Sequence, residues 1–555
     1  MKWSLKSTKI PKDEKDLKKI LFENRNIKQS ESSFFNPTHP LEISLKEAGI
    51  DEKILKKVIK RIQLAKKNKD YIVIFGDYDA DGVCATAILW QLLFDLGCDV
   101  KPFIPHRKKH GYGVSIKAVD SIIEEKKPDL IITVDNGIVA HEPVNYIKSK
   151  GIDIIITDHH APETADGKLI FPNADFILHS SKLCGATLSW MLTRELELVE
   201  KSETKLSASS LDLCGIATIA DQVKLFEINR SFAKFGIEAI KKTTRAGLKF
   251  LLKETVKDID SLDSDTVGFV ISPRINAMGR MADGTDALRF LCTKNEKQAK
   301  NLAKVLIETN EQRKTLTYEL LADAEKQIEL ISQEKIIIVH SQNYHEGILG
   351  LIAGAILEKY SKPAIAISIG ENFAKASVRS VAGVNIVEFL RQIRDDLLEV
   401  GGHPMAAGFG FEPSKLEQIK LRLFNLAKEQ ILDDKLVQQI EPECILPVGL
   451  AKLETVDLVQ MFEPFGQGNK RPIFQLQNLK IIDIKTMGSE NTHLIINLGN
   501  DGNNFKAIGW KMGKYAAKFK VGDEISVVGS LEFNNWNGRQ YLQMILKDLK
   551  QGSKA

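Results

Sequence analysis

The chain has 555 residues, of which 43% are hydrophobic and 27% charged, a composition typical of folded globular domains rather than of disordered chains. The formal net charge is only +4, so the total charge does not indicate a nucleic-acid-binding protein, and any binding surface would have to come from local clusters of charge. Six widely spaced cysteines contain no CxxC pair, which argues against thiolate zinc sites, dithiol redox chemistry and a disulfide framework.

The first residues carry charge but no apolar segment of the kind found in signal peptides. Apolar runs elsewhere have the length of β-strands and are too short to cross a membrane. Together with the cysteine pattern, these features predict a cytoplasmic protein with no membrane association.

Residues 1–50 are polar and mixed, and they are predicted to form a leader with short helices. From residue 51 to 294, strand-like apolar runs alternate with segments of helical periodicity. Residues 71–75 (YIVIF), 129–134 (DLIITV) and 153–157 (DIIIT) are the clearest strands. This alternation predicts an α/β domain with a parallel sheet, whose ligands bind beyond the carboxyl ends of the strands.

Residues 295–330 contain neither glycine nor proline and predict a long connecting helix. A second α/β domain is predicted over 331–430, with glycine-rich stretches in HEGILG and GGHPMAAGFGF. Residues 431–555 show short strands broken by Gly and Asn and predict a small β-barrel with a hairpin turn at Asn537-Gly538. Trp536, beside that turn, would either stack on a base or pack against its own sheet.

Acidic and histidine side chains follow several of the predicted strands. They occur in GDYDADG, VDNG, TDHH and IADQV, as Asp77, Asp79, Asp81, Asp135, Asp158, His159, His160 and Asp221. Carboxylates with some imidazole suit Mn²⁺ or Mg²⁺. Two such ions about 3.5–4 Å apart, bridged by a carboxylate such as that of Asp135, can activate water for phosphoryl displacement.

Within GDYDADG, Asp79 and Asp81 are two positions apart and can face one ion, while Gly82 allows a close backbone turn. A plainer interpretation exists for single residues, because an aspartate after a strand often caps a helix, as Asp77 or Asp158 could. His160 could simply orient a neighbour. The whole set, each motif after a strand, favours a metal site.

These motifs, in this order, resemble those of the DHH phosphoesterase superfamily. Further segments narrow the resemblance to the RecJ family and extend it over about residues 45–550: HGYGVS, PRINAMGR, HEGILGLIAGAILEKYSKPAI, ASVRS, GGHPMAAG and FEPFGQGNKRPIF. The resemblance implies a DHH domain, a connecting helix, a DHH-associated domain and an oligonucleotide-binding (OB) barrel. It also implies a single-stranded-DNA-specific 5′-to-3′ exonuclease that releases 5′-mononucleotides by two-metal-ion catalysis in DNA repair and recombination.

By motif, the resemblance makes Asp79, Asp81, Asp135, His159 and Asp221 metal ligands for two Mn²⁺ or Mg²⁺ ions. Asp77 and His160 would lie against the metals or the attacking water, which makes Asp77, Asp135, His159 and His160 the catalytic candidates. Single-stranded DNA is the implied substrate, helicase and single-strand-binding proteins are implied partners, and we expect a monomer.

Nine further residues are candidates for binding nucleic acid: Arg107, Tyr112, Arg274, Asn276, Arg280, Ser377, Arg379, Gly402 and His403. Arginine forks suit phosphates, a hydroxyl beside a guanidinium can hold a 5′-phosphate, and glycines allow close backbone approach. Tyr112 offers a stacking ring. The alternatives are surface ion pairs for the arginines, a solvated loop for RKKH at 107–110, and a tight turn for GGHPMAAG.

The sequence departs from the family pattern in the segment 176–192, where an expected glycine-bearing motif fits only loosely, and at Met278 and Met281. Two other functions compete. A DHH enzyme for short oligonucleotides, cyclic dinucleotides or pyrophosphate would need neither the connector nor the barrel. A DNA-binding or scaffold protein with an inactive core would be favoured by a lost motif acid, and none is lost.

Overall fold

The computed structural model describes residues 1–552 except 28, 112, 166, 332, 489, 501, 537 and 538, and it describes only the backbone of Ala165, Asn535 and Trp536. Tyr112 and the predicted Asn537-Gly538 turn therefore lie outside the described residues, as does the Trp536 side chain.

A five-stranded, fully parallel sheet forms the centre of the first α/β part. Its spatial order is Asp99–Phe103, Tyr71–Phe75, Leu130–Val134, Asp153–Asp158 and Phe176–His179. The two strands Tyr71–Phe75 and Leu130–Val134 are buried at every residue, because helices cover both faces of the sheet. The parallel α/β prediction is confirmed.

Helices, a short hairpin and one π-helical stretch complete this part. The helices are Glu52–Asn68, Ala80–Asp95, Arg107–His110, Ile116–Glu125, His141–Ser149, Gly185–Glu200, Leu206–Ser209, Leu211–Ala220, Glu227–Lys241, Ala246–Thr255, Ser264–Thr266, Ser272–Met281 and Gly284–Cys292. The hairpin strands are Glu163–Ala165 and Lys168–Ile170, and the π-helix is Val267–Ile271.

One 36-residue helix, Glu296–Ile331, leads from the first part to the second. At its start Leu302, Ala303 and Leu306 pack in the core of the first part. Near its end Leu320 and Ile328 pack in a cluster with the second sheet. A single helix therefore bridges the two α/β parts.

The second sheet is mixed. Its order is Glu399–His403, Ala406–Phe411, Ala374–Arg379, Ala364–Ile369 and Ile337–Ser341, and only the last pair is parallel. Its helices are Leu349–Tyr360, Ile386–Arg391 and Leu416–Gln430, with 3₁₀ turns at Glu346–Ile348, Arg394–Asp396 and Pro413–Lys415.

The C-terminal part is a closed barrel, which confirms the β-barrel prediction. Around the barrel the strands run Phe474–Met487, His493–Asn500, Asn503–Gly509, Arg539–Gln551 and Glu524–Trp536. Helix Leu453–Gln460 and the 3₁₀ turns Asp433–Leu436, Val448–Leu450 and Gly513–Ala517 accompany it. Alternate strand residues, such as Leu494, Ile496 and Leu498, point into its apolar core.

The first 50 residues, predicted as a leader, pack against both the C-terminal part and the first α/β part. Strand Lys2–Trp3 pairs in parallel with Gln439–Ile440, and Phe34 lies in the barrel core. The segment also contains helices Glu14–Glu23 and Glu31–Phe35 and a 3₁₀ turn at Pro40–Glu42. Ile43 packs in the core of the first part. None of the helices that the structure describes combines the length and the apolar character needed to cross a lipid bilayer.

Candidate metal centre and nucleic-acid interface

Acidic residues gather at the carboxyl edge of the parallel sheet. Asp77 follows strand Tyr71–Phe75, Asp135 follows Leu130–Val134, and Asp158 ends the next strand. All three are buried. Asp135 has a φ of +64°, a left-handed conformation that turns the chain sharply at the strand end. Parallel strand ends thus place the three motifs side by side, as the sequence predicts.

The loop after the first strand is fixed by its own carboxylates. Asp79 caps helix Ala80–Asp95 by accepting a 3.0 Å hydrogen bond from the Gly82 amide, so the helix cap is Asp79 and not Asp77. Asp77 instead accepts a 2.7 Å bond from the Tyr78 amide. A Cβ on Gly82 would lie 2.6 Å from the Asp77 Cβ, which explains the need for glycine there.

Asp81 is held by the start of a different helix. Its two oxygens accept 2.7 Å hydrogen bonds from the amides of Gly185 and Ala186, the first residues of helix Gly185–Glu200. The positive end of that helix stabilises the carboxylate. A Cβ on Gly185 would lie 2.4 Å from the Cβ of Asp135, so only glycine fits. Gly185 lies within the segment that fits the family pattern loosely, and sequence reasoning did not single it out.

His159 lies where these carboxylates converge. Its Nε2 is 3.1 Å from Asp135 Oδ1 and 3.7 Å from the nearest oxygens of both Asp81 and Asp221. Two groups have ligand atoms close enough to share an ion: Asp81, His159 and Asp221, and Asp135, His159 and His160. Asp79 lies beside the first group, in a small cavity that Asp81 and Asp221 also line.

Within the described part of the chain, two of these atoms, Asp135 Oδ1 and His159 Nε2, are buried and have no hydrogen-bond partner. Burying such atoms unpaired costs free energy unless a ligand pairs with them. Oxygen donors with one or two imidazoles suit Mn²⁺ or Mg²⁺. The residues at this position therefore fit a divalent cation.

His160 is bound to Asp158. The Asp158 carboxylate accepts bonds from the His160 ring Nδ1 at 2.8 Å, from the amides of His159 and His160, and from the Ile138 amide. Burial opposes protonation of His160, but the hydrogen bond and charge of Asp158 raise the pKa of His160 to about 9. Asp158 therefore fixes the DHH loop and does not cap a following helix.

The acids repel one another. Burial and the charge of Asp79 raise the pKa of Asp77 to about 7. Burial and the charge of Asp81 raise the pKa of Asp221 to about 8. The pKa of Asp135 is likewise well above its ordinary value, because it is buried among these carboxylates. A cation bound among them reverses this unfavourable electrostatics.

Helix Ser272–Met281 packs against the GDYDADG loop beside the candidate metal centre. Asn276 Oδ1 accepts a 2.8 Å bond from the Ala80 amide, which is the start of the Asp81 helix. A Cβ on Gly279 would lie 2.3 Å from the Tyr78 carbonyl oxygen. Asn276, a candidate for binding nucleic acid, thus contacts the protein loop directly, although it also lines the cavity beside Asp79.

Two arginines flank a cavity of about 110 Å³ between the two α/β parts. Arg280 donates a 3.1 Å bond to the Gly347 carbonyl, and Arg107 lies over the ring of Tyr78. Burial and the charge of Arg107 lower the pKa of Arg280 to about 10. Residues 107–110 form a short helix rather than a loop. An anion entering this cavity would relieve the repulsion between the guanidiniums.

On the second sheet, strand register aligns the other candidates in two rows. Arg379, Ala406 and His403 form one row, and Ser377, Gly408 and Gly401 form the next. Gly350 approaches both Ser377 and Arg379, because a Cβ there would lie 3.2 Å from the Ser377 hydroxyl and 3.0 Å from the guanidinium.

Gly402 has a φ of +139°, and His403 is exposed at the tip of the GGHPMAAG hairpin. The tight-turn interpretation of this stretch therefore holds. Arg274 lies apart from these rows; it donates to the Val270 carbonyl and lies 4.0 Å from Glu311.

Comparison with known proteins agrees with this architecture. The DHH family, N-terminal domain matches residues 71–218, the DHHA1 domain matches 333–429 and the RecJ OB domain matches 443–548. The single-stranded-DNA-specific exonuclease RecJ of Thermus thermophilus is 32% identical over 86% of this chain and 68% of its own length. The chain belongs to the RecJ family.

The RecJ relative from Bacillus subtilis is 33% identical over 89% of this chain, and the chain spans 63% of its length. The crystal structure of Thermus thermophilus RecJ in complex with Mn²⁺ superposes with a TM-score of 0.81 at 28% identity, covering 97% of this chain and 76% of that one. The RecJ resemblance inferred from the motifs is therefore confirmed. At the level of the family, the predicted class of enzyme, a metal-dependent nuclease, is confirmed as well.

Proposed function

We propose that this protein hydrolyses single-stranded DNA from its 5′ end and releases 5′-mononucleotides, with two Mn²⁺ or Mg²⁺ ions, in DNA repair and recombination. The observation that carries the proposal is the convergence of Asp81, Asp135 and Asp221 on His159, with unpaired buried atoms facing one another. Family membership supports the same activity.

In this proposal the cations are held by Asp79, Asp81, Asp135, His159 and Asp221. When bound, the ions activate water and neutralise charge on the phosphate. His159 belongs to both ligand groups, and Asp135, whose Oδ1 lies 3.1 Å from His159 Nε2, would help to hold both ions. His160, whose ring Nδ1 is hydrogen-bonded to Asp158, and Asp77 would hold the attacking water.

The phosphates of the strand are assigned to the arginine-lined cavity and to the second sheet. Ser377 and Arg379 would hold the 5′-phosphate through a hydroxyl and a guanidinium. Arg107, Arg274, Arg280 and the hairpin residues Gly402 and His403 would follow the strand, and Asn276 would bind it beside the metals. Tyr112 is assigned a stacking role on family resemblance alone.

The domain limits that we propose are a leader over 1–50, a catalytic domain over 51–294, a connector over 295–330, a substrate-binding domain over 331–430 and a barrel over 431–555. The barrel would feed single-stranded DNA into the cleft, and a narrow entry would exclude duplex. Family resemblance further supports helicase and single-strand-binding proteins as partners, a monomeric state and a cytoplasmic location.

The decisive experiment follows a 3′-labelled single strand with Mn²⁺ and compares the wild-type protein with Asp135→Ala. We expect progressive shortening from the 5′ end, which the substitution abolishes. Asp434→Ala, at an exposed acid in the 3₁₀ turn Asp433–Leu436, is the control and should leave the rate unchanged. Cleavage of dinucleotides without shortening of long strands would instead indicate a small-substrate DHH enzyme.

A further inference from the structure

A cavity of about 1040 Å³ opens on the first α/β part, at a distance from the candidate metal centre. Helices Ala80–Asp95, Ala246–Thr255 and Gly284–Cys292 contribute to its walls. Phe94, which lines the cavity, follows Asp81 by thirteen positions on one helix, roughly 20 Å along the helix axis. The volume is comparable with the upper end of the range for small-molecule sites, roughly 300–1,000 Å³. The cavity is therefore a candidate for a second binding site.

Aromatic rings line this cavity from two helices. Trp90 and Phe94 lie one turn apart on helix Ala80–Asp95, with ring centroids 5.5 Å apart and ring planes inclined at 33°. Phe250 lines the cavity from helix Ala246–Thr255. The Phe94 side chain is 59% exposed, so a ligand that entered the cavity would find an open aromatic face on which a flat ring can stack.

Exposed lysines surround these rings, namely Lys205, Lys249, Lys253 and Lys294. Among the described residues, none of the four forms an ion pair or a side-chain hydrogen bond. Two acids, Asp95 and Glu296, also line the cavity, and within the same part of the chain neither forms an ion pair with a lysine. Four unpaired ammonium groups thus face two carboxylates, and the cavity is complementary to an anionic ligand.

Arg245 belongs to the wall of the cavity and is already paired. Its guanidinium donates to Gln91 Oε1 at 3.0 Å and to the Leu291 carbonyl at 3.1 Å. It also donates to Ser210 Oγ at 3.1 Å, and its Nε lies 3.2 Å from Asp212. The cations left for a ligand are therefore lysines, which bind phosphates as point charges, whereas carboxylates are matched best by an arginine fork. This difference favours a phosphate ligand over an acidic peptide.

We propose that this cavity binds a nucleoside 5′-polyphosphate, with the base stacked on Phe94 and the phosphates held by lysines such as Lys249 and Lys253. Lys249, Phe250 and Lys253 lie on one face of helix Ala246–Thr255, so a ring and two positive charges are presented side by side. Several unpaired lysines match a ligand that carries several negative charges. The site shares no residue with the candidate metal centre, and the inference does not depend on the proposed nuclease activity.

The test is calorimetric titration of the whole chain in EDTA at ~0.1 M salt with ATP, GTP, CTP and UTP, each in a separate experiment. We expect at least one of the four nucleotides to bind at a single site. Phe94→Leu should weaken that binding about 10-fold, because an aliphatic side chain keeps the apolar surface but cannot stack on a base. Lys249→Gln/Lys253→Gln should also weaken it about 10-fold, since each lost pair of exposed charges reduces affinity by up to about 5-fold.

The matched control is Lys60→Gln/Lys257→Gln, which removes the same charge from two exposed lysines that do not line the cavity. It should bind the nucleotide as the wild type does. Failure of all four nucleotides to bind, or equal binding by the wild type and the cavity variants, would overturn the proposal.

Three competing ligands separate the proposal from its alternatives. Inorganic triphosphate should bind more weakly than the nucleotide; equal affinity would leave the aromatic rings without a role and overturn the proposal. A hexa-aspartate peptide should not bind, and a peptide that bound where no nucleotide did would indicate an acidic protein partner instead. An oligothymidylate strand should not displace the nucleotide, because displacement would place the nucleotide in the substrate cleft and not in this cavity.

Discussion

Gly185→Ala tests how tightly the candidate metal centre is packed. A Cβ at this position would lie 2.4 Å from the Asp135 Cβ and 2.5 Å from Asp135 Oδ1. Ordinary contacts between carbon atoms are about 3.5–4.0 Å, so Asp135 or the helix start must move by roughly 1 Å. A misplacement of that size at a catalytic group costs about 100-fold in rate.

The helix start cannot move freely, because the Gly185 and Ala186 amides hold Asp81 at 2.7 Å. The displacement therefore affects Asp135, Asp81 or both. We expect Gly185→Ala to weaken Mn²⁺ binding, measured by calorimetry, and to lower the rate of single-strand degradation about 100-fold.

Gly354→Ala is the control, since a Cβ there meets no atom within 4 Å and the glycine lies inside helix Leu349–Tyr360. It should leave metal binding and rate unchanged and stabilise the fold by about 0.5–1 kcal/mol. Normal Mn²⁺ affinity and normal rate in Gly185→Ala would refute the argument that close packing positions Asp135.

Three further outcomes follow from the same contacts. Asp135→Asn should raise the unfolding free energy of the metal-free protein by about 1–3 kcal/mol, because it removes a buried repelling charge. For the wild type, Mn²⁺ at 100 times its Kd should raise the free energy of unfolding by about 2.7 kcal/mol, and Asp135→Asn should lose this increase. Denaturant titrations with and without Mn²⁺ measure both effects. Asn276→Ala should lower kcat about 10-fold, as expected for a loosened loop, without changing the salt slope of strand binding. Arg230→Ala should lower the free energy of unfolding, measured in urea, by about 2–5 kcal/mol, because it removes the hydrogen-bond donor to the carbonyls of Phe34 and Glu463.

The edge of the parallel sheet could be predicted from the sequence because each motif directly follows a short apolar run. Asp77 lies two residues and Asp135 one residue beyond a buried strand, and Asp158 is the last residue of its strand, so the strand order alone brings them together. The barrel and the connecting helix were equally accessible, since strand-length alternation and a long stretch without glycine or proline are local signals.

Contacts between distant segments were not accessible in this way. The approach of Gly185 to Asp135, the bond from the Ala80 amide to Asn276 and the burial of Arg230 all join residues 50 or more positions apart. Each depends on how helices pack, which a single sequence does not state. Likewise, the polar composition of residues 1–50 predicts a leader but does not reveal that Phe34 is buried against the barrel.

Two kinds of carboxylate meet at the candidate centre, and they differ in what the protein provides. Asp81 receives two amide hydrogen bonds from a helix start, so its position is fixed by the fold before any ion binds. Asp135 Oδ1 and His159 Nε2 have no hydrogen-bond partner among the described residues and lie 3.1 Å from each other. The unpaired atoms carry a desolvation cost that a cation offsets on binding. Fixed acids therefore define where the ion sits, and unpaired atoms supply the free energy that favours its binding.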